Sequence, residues 1–105
     1  KKYFDEPGDH AGELETSIMM HLEPDLVLPL ETAGNGAAKN FKIIGLKDGW
    51  VTAQRQWTKV TKDTGVGDPA LSTAEKGKVY LKDVTAKISD FFIELERTAL
   101  EDLYE

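Results

Sequence analysis

Apolar side chains recur at four-residue spacing in the first quarter of the chain, where Leu14, Ile18 and Leu22 form a stripe that Ala11 and Met19 widen. That period marks one face of an α-helix and predicts a short helix over residues 11–23. Asp9 stands where its carboxylate can cap the first turn, and Pro24 ends the helix because proline pushes the preceding residue out of helical space. A longer stripe runs through Leu81, Val84, Ile88, Phe91, Phe92, Leu95, Ala99 and Leu103 at spacings of three and four. It predicts a helix of about 45 Å, opened by a Ser72-x-x-Glu75 capping box and reaching about Leu103. Gly77 sits in its early turns and weakens them.

The segments between are less regular. Residues 1–8 read as a loop with Pro7-Gly8 as a turn signal, and residues 24–40 as an irregular connection carrying two prolines and Gly34-Asn35-Gly36. Three β-prone stretches at 41–46, 50–53 and 57–61 predict short strands, with Lys47-Asp48-Gly49 as a hairpin turn. Residues 62–71 form a glycine-proline loop. No internal repeat or low-complexity tract appears. A stripe as long as the second one needs a comparably long partner surface, which one short helix and a few strands do not supply. In α/β proteins such a helix lies along a parallel sheet, yet no strand–helix–strand alternation is present. The sheet is therefore expected from sequence outside these residues.

Composition narrows the function classes. At 105 residues the chain is one domain or part of one, and its 40% hydrophobic content suits a folded protein. Thirteen basic residues are scattered among nineteen acids for a net charge of −6, which argues against nucleic acid or an anionic membrane as partner. Cysteine is absent, so disulfides and thiolate metal sites are excluded and a reducing cytoplasm is compatible. No apolar run approaches the roughly 20 residues of a membrane span. The start, Lys1-Lys2, lacks both an initiator Met and a signal-peptide pattern and is compatible with a proteolytic cut.

Candidate chemistry concentrates in Asp9-His10-Ala11-Gly12-Glu13-Leu14-Glu15-Thr16-Ser17. A histidine relays protons near neutral pH, and a glutamate projecting from a helix's first turn can bind a metal or orient a neighbour. Gly12 leaves room for a ligand or a backbone to approach. From residue types alone, a capped surface helix whose acids favour the positive end of its dipole accounts for Asp9 and Glu13. It accounts less well for Thr16-Ser17, whose hydroxyls are expected to turn inward and hold other polar groups. His21 reads as a surface or core-edge histidine, Met19 and Met20 as packing residues, and Lys76 and Lys78 as a solvated helix face. Trp50 and Trp57 suit structural roles, a pocket wall or a subunit contact.

Two segments carry a family resemblance. The run DHAGELETSIMMHLEPDLV resembles the creatininase family segment in which a histidine, a small-Gly pair and Glu-Thr-Ser precede an apolar helix. The later TGVGDPALSTAEKGK resembles that family's glycine loop, Gly-Asp-Pro and Thr-x-Glu-Lys-Gly helix start, in the same order. The resemblance implies an α/β, three-layer fold with a mainly parallel sheet. Residues 1–105 would form the C-terminal segment of its single domain, contributing a short helix, a loop-rich β region and a long closing helix. It also implies a metal-dependent amidohydrolase acting on a C–N bond, with two divalent ions, zinc and/or manganese. His10 then matches the family's substrate-contacting, proton-transferring histidine, Asp9 the acid before it, and Glu15 a metal-site acid.

The chain departs from the family pattern in two ways. The Glu-x-His-Gly run, the following Asp and the Gly-His-Gly-Asn-like turn that carry most metal ligands are absent, and Glu6-Pro7-Gly8 stands where creatinine-hydrolysing members place a tryptophan. The expected partners are accordingly the N-terminal part of the same protein, a small-molecule amide and further copies of the chain, a hexamer by resemblance, in the cytoplasm. Relatives that deformylate a formylaminopyrimidine nucleotide or cleave peptides offer alternative substrates. A non-catalytic module that dimerises through the long helix is the alternative from another class.

Overall fold

The computed structural model describes residues 2–105, so Lys1 of the expected opening loop lies outside the described residues. Four helices occur in chain order: α1 (Glu13–Leu22), α2 (Ile44–Lys47), α3 (Trp57–Val60) and α4 (Ala74–Arg97). Short 3-10 turns at Pro24–Leu26, Leu30–Thr32 and Leu100–Asp102 punctuate the rest.

Helix α1 begins two residues later than its apolar stripe suggests. Gly8 and Ala11 both adopt positive φ, +79° and +53°, and a helix cannot propagate through either. Gly12 is the N-cap and no side chain caps the first turn, so the expected capping by Asp9 does not form. The helix stops at Leu22 before Pro24, as expected. Its deepest face is polar: Glu13 and Ser17 are fully buried, whereas Leu14 and Ile18 are half-buried and Met19 and Leu22 exposed. The stripe read from the sequence is thus not the face that meets α4.

The predicted strands are corrected. The stretches at 41–46 and 57–61 instead contain the helical turns α2 and α3, residues 50–53 are irregular, and no strand forms among the described residues. The reason lies in what β-propensity measures, which is packing on a pleated neighbour. Here no neighbouring strand is within reach, and local helical bonds satisfy the backbone instead. The expected hairpin turn becomes a helix terminus: Asp48 donates its N–H to the Ile44 carbonyl at 2.8 Å, and Gly49 follows with φ +82°.

Helix α4 also shifts at both ends. Its N-cap is Thr73, whose hydroxyl accepts from the Lys76 N–H at 3.2 Å, in place of the Ser72 capping box. Ser72 is buried and donates instead to the Glu13 carbonyl oxygen at 3.3 Å. The helix ends at Arg97, and the last positions of the stripe, Ala99 and Leu103, flank the 3-10 turn at Leu100–Asp102. Its first turn crosses α1 where Gly77 meets the Ser17 backbone, and the Ser17 hydroxyl accepts from the Thr73 N–H at 3.1 Å. Beside this crossing the buried Phe4 packs on Tyr80 with ring centroids 5.3 Å apart.

Beyond the crossing the α4 stripe stays open, with Phe91 57% and Phe92 60% exposed. The radius of gyration, 18.2 Å, well exceeds the ~13 Å of a compact domain of this length.

Candidate functional site

The segment with the candidate residues is held by backbone pairing. His10 and Val66 form an antiparallel bridge, with His10 N–H to Val66 O at 3.0 Å and Val66 N–H to His10 O at 2.8 Å, and the Asp9 N–H shares the Val66 oxygen at 2.8 Å. This brings the glycine loop at 65–69 against the histidine. The approach needs three glycines face to face: a Cβ on Gly67 would lie 2.8 Å from the Gly8 Cα and 3.0 Å from the Gly12 Cα. The room expected at Gly12 is therefore occupied by backbone.

His10 and Glu15 come together. The His10 Nδ1 lies 3.6 Å from the Glu15 Oε2, with the side chains 47% and 53% exposed. The same Oε2 accepts from the Ala11 N–H at 2.6 Å, while the Thr16 hydroxyl donates to the Ala11 carbonyl at 3.2 Å. Both ends of Ala11 are thus clamped in a left-handed conformation that costs an L-residue about 1–2 kcal/mol. That strained residue joins the two candidate side chains.

Asp9 faces elsewhere. Both its oxygens accept from Arg55, at 2.5 and 3.2 Å. The Arg55 hydrogen bonds lower the Asp9 carboxyl below its ordinary range, slight burial opposes this, and the charges of Arg55 and His10 add to the lowering. The guanidinium thus favours the anionic form of Asp9. The Arg55 guanidinium lies 4.9 Å from the Trp57 ring centroid, and the His10 ring packs on Trp57 at 5.3 Å with a tilt of 48°. Arg55 was not legible as a site residue. Its one signal is its rarity, as one of two arginines, two positions before a tryptophan.

Glu13 is the structural acid of the segment. Its carboxylate accepts from the Lys76 ammonium at 2.5 Å and from the Asp5 and Glu6 N–H groups at 3.0 and 2.7 Å. Lys76 also donates to the Leu71 carbonyl at 2.8 Å, so the solvated face expected for it is corrected; Lys78 is exposed, as is His21. Burial pushes the Glu13 carboxyl up, but Lys76 and the two N–H groups outweigh it and hold it below the ordinary 4.5. A depressed carboxyl stabilises the fold above the ordinary value and loses that contribution as pH falls through the folded one. Lys76→Met leaves a buried anion with two backbone donors and should cost about 2–3 kcal/mol at neutral pH. Denaturant titrations should show this gap closing as pH drops below 4.5. A gap independent of pH would refute the pairing.

No group of three or more His, Asp or Glu side chains gathers among the described residues. With Asp9 on Arg55 and Glu13 on Lys76, His10 and Glu15 remain, two donors where zinc takes three or four protein ligands. The residues present do not form a complete metal site by themselves. Two grooves flank the segment. One of 440 Å³ is bounded by Ala11, Glu15, Met19 and the apolar turn at 26–30; the other, of 330 Å³, by Asp9, Arg55, Phe41 and Val66. No helix of the described residues is long and apolar enough to cross a membrane.

Known proteins resemble this chain in fold and sequence. A crystal structure of a Bacteroides fragilis NCTC 9343 protein assigned as a creatinine amidohydrolase superposes with a TM-score of 0.84 and 45% identity, over 98% of this chain and 40% of that one. The fold is therefore creatininase-like. The mycofactocin precursor peptide peptidase of Mycobacterium ulcerans (strain Agy99) is 36% identical over 70 residues, which are 66% of this chain and 26% of the relative. The chain thus spans between a quarter and two-fifths of the length of these relatives. The family profile for creatininase, described as creatinine amidohydrolase, matches residues 1–92, a span that takes in the histidine segment, the glycine loop and most of α4. On that match and the likeness to the solved relative, the chain belongs to the creatininase family.

Proposed function

We propose that this chain is part of a metal-dependent amidohydrolase that cleaves a C–N bond of a cyclic amide or of a peptide. One observation carries the reading: His10 and Glu15 sit 3.6 Å apart across a strained turn, with Glu15 on the wall of an open groove. In this reading His10 delivers a proton to the departing nitrogen. Asp9, held anionic by Arg55, fixes the charge and orientation of the turn. Glu15 would be among the residues that hold zinc or manganese, which would supply water activation and carbonyl polarisation there. The other ligands, and the mainly parallel sheet of the three-layer fold, belong to the rest of the domain, of which residues 1–105 are the C-terminal segment. The open stripe of α4 supports that assignment, since Ile88, Phe91, Phe92 and Leu95 need a covering surface. Assembly of copies into an oligomer and a cytoplasmic location complete the proposal.

The substrate lies between the two chemistries named for the relatives, a creatinine-like cyclic amide and a peptide bond. The test is hydrolysis of creatinine, an N-formyl amide and short peptides by the intact protein, before and after chelation. Turnover of one class should vanish with the metal and return on adding zinc or manganese. Hydrolysis indifferent to chelation, or none by the metal-loaded protein, overturns the reading. A sedimentation series on the same samples separates it from a non-catalytic module, which would dimerise without turning over any of the three substrates.

A further inference from the structure

We propose that Arg55 is a positioning residue, which holds the His10 imidazole in place through Asp9 on one side and Trp57 on the other. The proposal rests on the reading of His10 as the proton-transferring group. Its geometry stands without that reading.

Three contacts converge on the histidine. Its backbone is bridged to Val66, its Nδ1 lies 3.6 Å from the Glu15 carboxylate, and its ring packs on Trp57 at 5.3 Å. The first two are made by the Val66 backbone and by the first turn of α1, which follows His10 closely. The third depends on a tryptophan at the start of the four-residue helix α3, following an irregular stretch. What ties that stretch to the site is Arg55. Its guanidinium grips both Asp9 oxygens and lies over the Trp57 ring at 4.9 Å, so one planar group fixes the residue before His10 and the ring against it. Lysine cannot reproduce this, because a point charge neither forks onto a carboxylate nor stacks. The pair is half-exposed, and exposed ion pairs add little to stability. A contribution to orientation explains the arrangement better than a contribution to folding.

Bracketed in this way, the imidazole keeps Nδ1 toward Glu15, and among the described residues no hydrogen-bond partner engages Nε2. Nε2 is then the nitrogen presented to substrate. A displacement of about 1 Å at such a group costs up to roughly 100-fold in rate.

The experiment compares Arg55→Met, Arg55→Lys, Asp9→Asn and the Met/Asn double variant in the intact protein. Arg55→Met should lower kcat about 10- to 100-fold with KM nearly unchanged. Lysine should restore only part of the loss. Asp9→Asn should cost a similar factor, and the double variant no more than the worse single one, because both act through one contact. With every other tryptophan of the intact protein replaced by phenylalanine, Arg55→Met should also shift the emission of Trp57 and raise its quenching by acrylamide. A raised KM with intact kcat would make Arg55 a substrate contact and overturn the proposal. So would multiplicative losses in the double variant or an unaltered Trp57 signal. If the wild type hydrolyses no amide, the hydrolase reading falls, and the fluorescence arm alone decides whether Arg55 holds the bracket.

Discussion

Gly77→Ala should destabilise the protein by about 3 kcal/mol, although the same change in an open helix adds stability. Alanine exceeds glycine in helix propensity by about 1 kcal/mol, so the sign of the effect is diagnostic. A Cβ on Gly77 would collide with the Ser17 carbonyl and stand 2.7 Å from the Ile18 nitrogen. These are backbone atoms of α1 and cannot rotate aside. Moving α1 away would loosen the Thr73–Ser17 and Ser72–Glu13 hydrogen bonds and draw Lys76 off Glu13. One added methyl group therefore acts on all three of these contacts at once. Denaturant unfolding of the intact protein measures it, and a midpoint equal to or above that of the wild type would show that the crossing is looser than described.

The second large effect is on turnover. Under the hydrolase reading, His10→Ala should reduce kcat by about 100- to 10,000-fold, the usual contribution of a positioned acid or base. That is roughly 3–5 kcal/mol of barrier. Metal content should hold, because the imidazole is not assigned as a ligand. Glu15→Gln should do the reverse and lower metal content first, with activity following. Glutamine is the informative replacement, since its amide oxygen can still accept from the Ala11 N–H and keep the turn in its left-handed form. Alanine would remove the charge and the clamp together. Metal analysis alongside kinetics separates the two roles. Equal activity in both variants, or metal loss in the histidine variant alone, would reverse the assignments.

Local signals in the sequence located α1 and α4 but not the faces they bury. The four-residue period found α1, and Pro24 marked its end. The buried face is nevertheless Glu13 and Ser17, because α4 meets α1 through a glycine and polar contacts rather than through the leucine stripe. The hint in Thr16-Ser17 was sound, in that the Ser17 hydroxyl turns inward to Thr73. The β-prone stretches misled because valine, isoleucine and tryptophan signal a packed surface, and no strand lies beside them among the described residues. His10 and Glu15 are five positions apart, so local spacing could bring them together. Arg55 and Lys76 reach Asp9 and Glu13 from elsewhere in the chain, and no periodicity encodes that.

Those distant partners have a kinetic consequence. Arg55–Asp9, Thr73–Ser17, Ser72–Glu13 and Lys76–Glu13 join positions 46, 56, 59 and 63 residues apart. Each closes a long loop whose entropy must be lost before the contact returns anything. The helices can flicker into shape early on their own, but the turn bearing His10 acquires its geometry only once the second half of the chain has arrived. Such topologies fold slowly for their size. The histidine turn should therefore be among the last parts to order during refolding and among the first to be lost when the two halves separate.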